Sequence, residues 1–380
     1  MNPALAVLHN LESSTTPVET LWVGGIGGME ADLVKREGVP FEAIPAAGVH
    51  GVGLRALPRN LWKLFQGVLA SRRLLKRFQP DVLLFTGGFV AVPMALAAWG
   101  WSLPARLNFG GLPGLSRSSR ARLRSKSLLY VPDIEPGLAL KTLARFADAI
   151  AITAEEGRVY FKRKNVTVTG YPVRKSLKVW DGVDALRVLG LRDDLLTLLV
   201  TGGSTGARSI NRALMSVLPD LLAEMQVVHL TGKLDWPEVD AFRATISPEK
   251  IARYHAFPYL HEEMGTAFSA ADLIVSRAGA SCLGEFPMFG VPAILVPYPH
   301  AWRYQRVNAS YLARHGAAVV VEDAELPAKI LSLVRELIHD APRRGQMRQA
   351  MQALYQPQAA ASIANLLRSL ADPEKDAAYG

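Results

Sequence analysis

The residues with the plainest chemical potential are glycines set between an apolar run and a helix-forming run. In Leu198-Leu199-Val200-Thr201-Gly202-Gly203-Ser204-Thr205-Gly206-Ala207-Arg208-Ser209-Ile210-Asn211 a strand feeds a glycine turn, which feeds a helix. Glycine lets the backbone come close to a ligand. The helix start turns free N–H groups and a positive dipole end toward an anion. A diphosphate fits that arrangement, with the amides of Gly202, Gly203, Thr205 and Gly206 and the hydroxyl of Ser204 as donors. Such turns also serve as plain strand-to-helix connections in many α/β proteins. A second run, Leu84 to Pro93, repeats the design with Gly87, Gly88 and Phe89, and Pro93 suits a helix start. Alone it is weakly specific. An acceptor on this second loop and a diphosphate on the first is the reading for a cleft between them. The glycines at Gly24-Gly25-Ile26-Gly27-Gly28 lack the dinucleotide spacing and read as a turn.

Carboxylate and amide groups follow downstream. Ser276-Arg277-Ala278-Gly279-Ala280-Ser281-Cys282-Leu283-Gly284-Glu285 is another strand, small-residue turn and helix start. A carboxylate at Glu285 can accept both hydroxyls of a ribose; a solvated glutamate near a favourable dipole end is the competing reading. Gln305 and Asn308 stand one helical turn apart and are expected to face the same way, where amides can read sugar hydroxyls as donor and acceptor together. His300 fits a solvated loop histidine better than an acid or base. Cys282 has no His or Asp at telling spacing and reads as a small core residue. No cluster of Asp or His announces a metal, and no cofactor is expected.

These side chains need a scaffold. Short apolar runs at Thr20–Val23, Val82–Phe85, Ala149–Thr153, Thr197–Thr201, Gln226–Leu230, Asp272–Val275 and Ala293–Val296 alternate with helical stretches. That rhythm predicts parallel sheets with helical crossovers, an α/β protein. It occurs twice, on either side of Val166–Arg174. The expected domains are therefore residues 1–170 and 171–358, with a last helix at Ala359–Leu370 able to cross back onto the first. At 380 residues with 49% hydrophobic residues, the chain can fill two cores. One cysteine excludes an intramolecular disulfide and suits a reducing compartment. The opening residues lack the pattern of a secretion signal. The uncharged run Val82–Ala105 is long enough for a membrane span, but Thr86-Gly87-Gly88 and Pro93 break it into a strand, a turn and a helix beginning near Pro93.

A net charge of +9 calls for an anionic partner. The basic residues lack a nucleic-acid-binding motif, so no nucleic acid is expected. From Leu54 to Phe78, Leu61, Trp62, Phe65 and Leu69 alternate with Arg59, Lys63, Arg72, Arg73, Lys76 and Arg77. Such a helix can lie on an anionic membrane surface or pack its apolar side on its own sheet; a share of both is the reading. Trp101 to Ser127 holds five Arg or Lys residues from Arg117 to Lys126 without an acidic residue, and is expected to be an irregular insertion.

The pieces together resemble glycosyltransferase family 28, the N-acetylglucosaminyltransferases that make lipid II. The resemblance runs over most of the chain. It is carried by Asn2-Pro3-Ala4-Leu5-Ala6-Val7, Gly87-Gly88-Phe89-Val90, Gly170-Tyr171-Pro172-Val173-Arg174, Gly202-Gly203-Ser204-Thr205-Gly206-Ala207-Arg208 and Ser276-Arg277-Ala278-Gly279-Ala280. It implies the GT-B fold, two Rossmann-like parallel-sheet domains facing a cleft, and inverting transfer from UDP-GlcNAc to a lipid-linked acceptor, undecaprenyl-pyrophosphoryl-MurNAc-pentapeptide. By position it also implies Glu285 as ribose carboxylate, Ser204 as phosphate and sugar contact, Arg174 as the arginine after the interdomain strand, Gln305 as sugar reader, and a uracil near Leu260 and His261. The implied location is the cytoplasmic face of the cell membrane, held peripherally.

One departure stands out. The family opens with a strand and a Gly-Gly-Thr-Gly-Gly-His loop before the equivalent of Asn2-Pro3-Ala4, whereas this sequence opens at Met1-Asn2-Pro3. The expectation is that the start lies upstream or that the first domain lacks a strand, its acceptor loop and its histidine. Tyr130-Val131-Pro132-Asp133 also replaces the family's His-Glu-Gln-Asn. A related transferase acting on another lipid such as diacylglycerol, and a noncatalytic UDP-sugar-binding subunit, use the same C-terminal half.

Overall fold

The computed structural model describes residues 2–13, 17–28, 30–47, 57–88, 90–106, 125–162, 165–203, 205–261, 263–300 and 303–372. Ser204, Phe89, the basic residues Arg117 to Arg124 and the tail from 373 lie outside them. The chain divides into two compact units. The first holds Met1–Pro132, Pro136–Thr169 and Gln358–Gly380; the second holds Asp133–Glu135 and Gly170–Pro357.

In the second unit six strands form one wholly parallel sheet. They are β7 (Thr197–Thr201), β8 (Gln226–Leu230), β9 (Tyr254–Phe257), β10 (Leu273–Ser276), β11 (Ala293–Leu295) and β12 (Ala318–Val320), in the order β12-β11-β10-β7-β8-β9. Every residue of β7, β8, β10 and β11 is buried. Continuous burial of short β-branched and leucine-rich runs is what a parallel sheet covered on both faces demands. The helix Arg208–Leu221 presents Ile210, Leu214, Leu218 and Leu221 on one stripe, packed with Leu198, Val200, Val227 and Val275 in the main core.

The first unit adds β1 (Trp22–Gly25), β2 (Phe41–Ile44), β3 (Val82–Phe85), β4 (Lys126–Val131), β5 (Ala149–Ile152) and β6 (Val166–Val168). Among the described residues these form two sheets rather than one: β1 with β2, and β3-β4-β5-β6 in order, all pairs parallel. The C-terminal helix Ala359–Ala371 belongs to this unit. Its Ile363, Ala364 and Leu367 pack with Val7 and Leu11 of the helix Asn2–Glu12 and with Leu128 and Tyr130 of β4. No helix among the described residues is long and apolar enough to cross a membrane.

The structure adjusts two expectations. The helix after β3 begins at Ala91, with Pro93 inside its first turn, where a missing N–H breaks no helical bond. The irregular stretch expected from Trp101 is narrower: Trp101 to Arg106 complete that helix, and Lys126 and Ser127 open β4.

Two glycines of the turn after β7 share a left-handed backbone but not a setting. Gly203 has φ +80° with open space at its Cβ position, whereas Gly206 has φ +82° and its Cβ would lie 2.3 Å from the Thr231 carbonyl oxygen. Gly203→Ala should cost about 1–2 kcal/mol from backbone strain alone. Gly206→Ala should cost roughly 3 kcal/mol or more, because overpacking against fixed backbone adds to that strain. Urea unfolding midpoints of the two variants test the order.

Candidate functional site

Strand order in the second unit reverses between β7 and β10: β8 and β9 extend one way, β11 and β12 the other. Crossovers leaving such a pair lie on opposite faces, so the loops at the strands' carboxyl ends part and leave a crevice. The two strand–turn–helix runs singled out in the sequence are the loops leaving those strands. They border a cavity of about 1230 Å³ lined by Gly202, Gly203, Thr205, Gly206, Arg208, Ser209, Arg277, Ser281, Glu285, Tyr298, His300 and Gln305. All of this lies within one unit.

On one wall, the helix Arg208–Leu221 starts at Ala207 with no side chain capping it. Its first amides are therefore open to a ligand. The loop before it is pinned from behind. Asn211 Nδ2 donates to the Thr231 carbonyl at 2.8 Å and to Asp235 at 2.9 Å, and its Oδ1 meets His229 Nε2 at 3.0 Å. His229 is fully buried, so desolvation lowers its pKa to about 3 and leaves it neutral, with Nδ1 2.7 Å from the Tyr254 hydroxyl. Asp235 also accepts from Arg208 Nε at 2.9 Å. Arg208 remains largely exposed at the cavity.

On the other wall, Glu285 opens the short helix Glu285–Phe289. Burial raises its carboxyl pKa from 4.5 to about 7; the charge of Arg174 and a hydrogen bond from Ser281 oppose that shift without cancelling it. Cys282 is buried beside it, and desolvation with the nearby Asp133 and Glu285 carboxylates pushes its thiol up, leaving it a protonated packing residue.

Arg277 ties the two walls together. Its guanidinium pairs with Asp323 at 2.5 Å, donates to Ser209 Oγ at 2.7 Å and to the Val296 carbonyl at 3.1 Å, and lies 5.2 Å from the Tyr298 ring centre. One side chain thereby joins the carboxyl ends of β7, β10, β11 and β12. Arg208, Asp235, Arg277 and Asp323 were not singled out as site residues in the sequence. Their pairings span 27 and 46 positions, so no local pattern announces them.

Of the residues expected at the site, Gly202, Gly203, Thr205, Gly206, Glu285 and Gln305 come together around this cavity. Gln305 Oε1 accepts from the Tyr298 amide at 2.9 Å and so shapes the rim. Asn308 does not face the same way. It is fully buried, donates to Asp133 at 2.8 Å and to the Ala278 carbonyl at 3.1 Å, and accepts from the Ile134 amide at 3.1 Å. Its amide is committed to anchoring the segment Asp133–Glu135, which corrects the expectation that it reads a sugar. Leu260, buried, and His261, exposed and 4.6 Å from the Tyr259 ring, follow β9 and do not line the cavity. Arg174 is half-buried and also outside the lining, acting on Glu285 through its charge. Gly87 and Gly88, at φ +104° and +85°, belong to the first unit.

Residues 197–367 match the glycosyltransferase family 28 C-terminal domain, and residues 1–107 match the glycosyltransferase family 28 N-terminal domain. The UDP-N-acetylglucosamine–N-acetylmuramyl-(pentapeptide) pyrophosphoryl-undecaprenol N-acetylglucosamine transferase of Roseiflexus sp. (strain RS-1) is 40% identical, the match covering 94% of this chain and 85% of the relative. The protein of the same name from Desulforamulus reducens is 33% identical over 95% and 93% of the two chains. The crystal structure of Acinetobacter baumannii MurG superposes with a TM-score of 0.70 at 23% identity, covering 97% and 95%. By this likeness the fold is GT-B, and the chain belongs to glycosyltransferase family 28.

Proposed function

We propose that this chain transfers N-acetylglucosamine from UDP-GlcNAc, with inversion, to the lipid-linked acceptor undecaprenyl-pyrophosphoryl-MurNAc-pentapeptide. The observation that carries this reading is the match to transferases of that name over 94–95% of the chain. The crevice at the β7/β10 switch point supports it, because it offers separate partners for the two ends of a nucleoside diphosphate. The uncapped helix start after Ala207, with the glycine turn beside it, takes the diphosphate. Glu285 takes the ribose hydroxyls. Gln305, on the rim, reads the sugar.

In that arrangement the acceptor oxygen forms a bond to the anomeric carbon as the bond from that carbon to the UDP oxygen breaks; the acceptor proton leaves, and UDP departs. Charge grows on the departing diphosphate. Amides fixed by the Asn211–Thr231 contact need no reorganisation to stabilise it. Arg208, oriented by Asp235, adds a cation at the same wall. Incubation of the purified chain with UDP-GlcNAc and a lipid I analogue should yield UDP and the disaccharide lipid; release of neither under conditions where UDP binds would overturn the transferase reading.

The membrane part of the proposal rests on the helix Leu57–Phe78. Leu61, Trp62, Phe65 and Leu69 are 49%, 61%, 52% and 38% exposed, and the Trp62 and Phe65 rings stack at 5.7 Å. The opposite side turns Gly67, Ser71 and Leu74 inward. Exposed Arg59, Arg72, Arg73, Lys76 and Arg77 share the helix with the outward stripe. An apolar stripe with cations beside it suits an anionic bilayer, where each near-surface cation contributes about 1 kcal/mol. This reading seats the protein peripherally on the cytoplasmic face of the cell membrane.

Because Glu285 ionises near 7 in the fold against 4.5 for an ordinary carboxyl, the folded state binds more protons between those values. Its contribution to stability is therefore lost as pH rises through that window. Glu285→Gln should stabilise the ligand-free chain at pH 8 by about 1–3 kcal/mol while weakening UDP binding by roughly tenfold through loss of a charged acceptor. The wild-type chain should bind UDP several-fold more tightly at pH 8 than at pH 6.5, and the variant should lose that dependence, as calorimetry can read. Separately, the double variant Trp62→Ser, Phe65→Ser should lower partition onto anionic vesicles tenfold or more, since burying each aromatic contributes ~1.5–3 kcal/mol; flotation equal to wild type would remove the membrane assignment.

A further inference from the structure

His229 shares a face of β8 with Val227, a residue of the apolar core, and is itself completely buried. A leucine would fill that place without the cost of desolvating a polar ring. Each ring nitrogen has a partner instead: Nε2 meets Asn211 Oδ1 at 3.0 Å, and Nδ1 meets the Tyr254 hydroxyl at 2.7 Å. The direction of every bond in this series is fixed. Asn211 Nδ2 lies 2.8 Å from the Thr231 carbonyl, which can only accept, so Nδ2 is the donor and Oδ1 is the acceptor turned toward His229. The neutral imidazole must then carry its proton on Nε2. Its bare Nδ1 accepts from Tyr254, whose phenol burial keeps protonated.

The series ends at a carboxylate in an unusual employment. Asp235 stands at the N-cap of the helix Trp236–Arg243, yet its side chain makes no capping bond. An aspartate there normally accepts from an amide of the first turn. Asp181 and Asp340, at the same position of two other helices in this unit, do so, accepting from Val183 and Arg343 at 2.9 Å. Asp235 gives its oxygens to Asn211 Nδ2 and Arg208 Nε, both at 2.9 Å. The buried imidazole holds an amide, the amide holds the carboxylate, and the carboxylate holds a guanidinium that is 61% exposed at the cavity.

We propose that His229 is a positioning residue for the anion-binding wall: its Nε2–H orients Asn211, and Asn211 keeps Asp235 turned to Arg208 so that the guanidinium meets a nucleoside diphosphate. The ligand is taken from the UDP-GlcNAc reading and rests on it; the hydrogen-bond series does not. Without the donor on His229, the Asn211 amide is free to rotate, and Asp235 is released to cap its own helix. Arg208 then loses its counterion and its aim. Networks of this kind act as a unit, so removal of a distant member is felt at the last one.

The test uses the full chain, its His229→Leu and His229→Gln variants, and each of these combined with Arg208→Gln. In ligand-free His229→Leu, hydrogen exchange at Arg208 Nε should quicken about tenfold. Exchange at Arg212 Nε, bonded to Glu238 at 2.9 Å outside the series, should keep its rate. By calorimetry UDP should bind about tenfold more weakly to His229→Leu, and His229→Gln, which restores an N–H donor, should recover most of that loss. In the Arg208→Gln background the leucine change should cost about twofold at most, because both residues act through one contact. Equal quickening at both arginines, the mark of a loosened unit, overturns the inference. So does an unchanged rate at Arg208, or a UDP penalty that is the same with and without Arg208. Should the leucine variant fail to fold, nitrogen NMR of the histidine-labelled wild type decides: a protonated Nε2 and a bare Nδ1 at His229 are expected, and the opposite tautomer overturns the series. A wild type that binds no UDP would sink the nucleotide reading, whereas the exchange comparison is made without ligand and still judges the series.

Discussion

A single reversal of strand order, between β7 and β10, is the constraint on which the site depends. A parallel strand must be followed by a crossover, and right-handed crossovers running in opposite directions lie on opposite faces of the sheet. The loops at the carboxyl ends of β7 and β10 cannot close over one another. The cavity is then lined by the segments that follow the two strands, the glycine turn and helix start after β7 on one side and the stretch from Arg277 to Glu285 after β10 on the other.

Holding such loops in place costs the fold polar groups in its interior, and each is matched. Asn211 spends its side chain on the Thr231 carbonyl, Asp235 and His229, so the helix start behind the glycines is fixed by hydrogen bonds rather than packing alone. Arg277 reaches Val296, Ser209 and Asp323, closing the carboxyl ends of four strands with one guanidinium. Glu285 is the exception. Its burial works against its own charge, a destabilised carboxylate that a ribose hydroxyl pair would relieve. The site stores its unfavourable electrostatics at the residue assigned to the ligand, a pattern common where binding groups are tuned by their surroundings.

The apolar runs that became β3, β7 and β8 were legible to the residue, because a short uncharged β-branched or leucine-rich run bounded by a turn has few other uses. The strand β4, Lys126–Val131, was not, since the basic residues leading into it pointed to an irregular segment. β2 and β9 are four residues long and lack such a run of their own. That the glycine turn and Glu285 border one cavity follows from two strand–turn–helix runs whose residues are adjacent in sequence. Asn308 misled because helical spacing places it near Gln305 but says nothing of depth: one turn further along, the helix has entered the core. Arg208 and Arg277 were in plain view without their counterions, which lie on other strands' loops.

Calorimetric titration with UDP and 2′-deoxy-UDP at pH 8 tests the central claim most directly, because the two ligands share the diphosphate and differ in one of the hydroxyls assigned to Glu285. The account predicts saturable heat for both, with the deoxy compound weaker by about 1–2 kcal/mol, the scale of a hydrogen bond to a charged acceptor. Equal affinities would contradict the carboxylate's role, and no binding of either would contradict the nucleotide site itself.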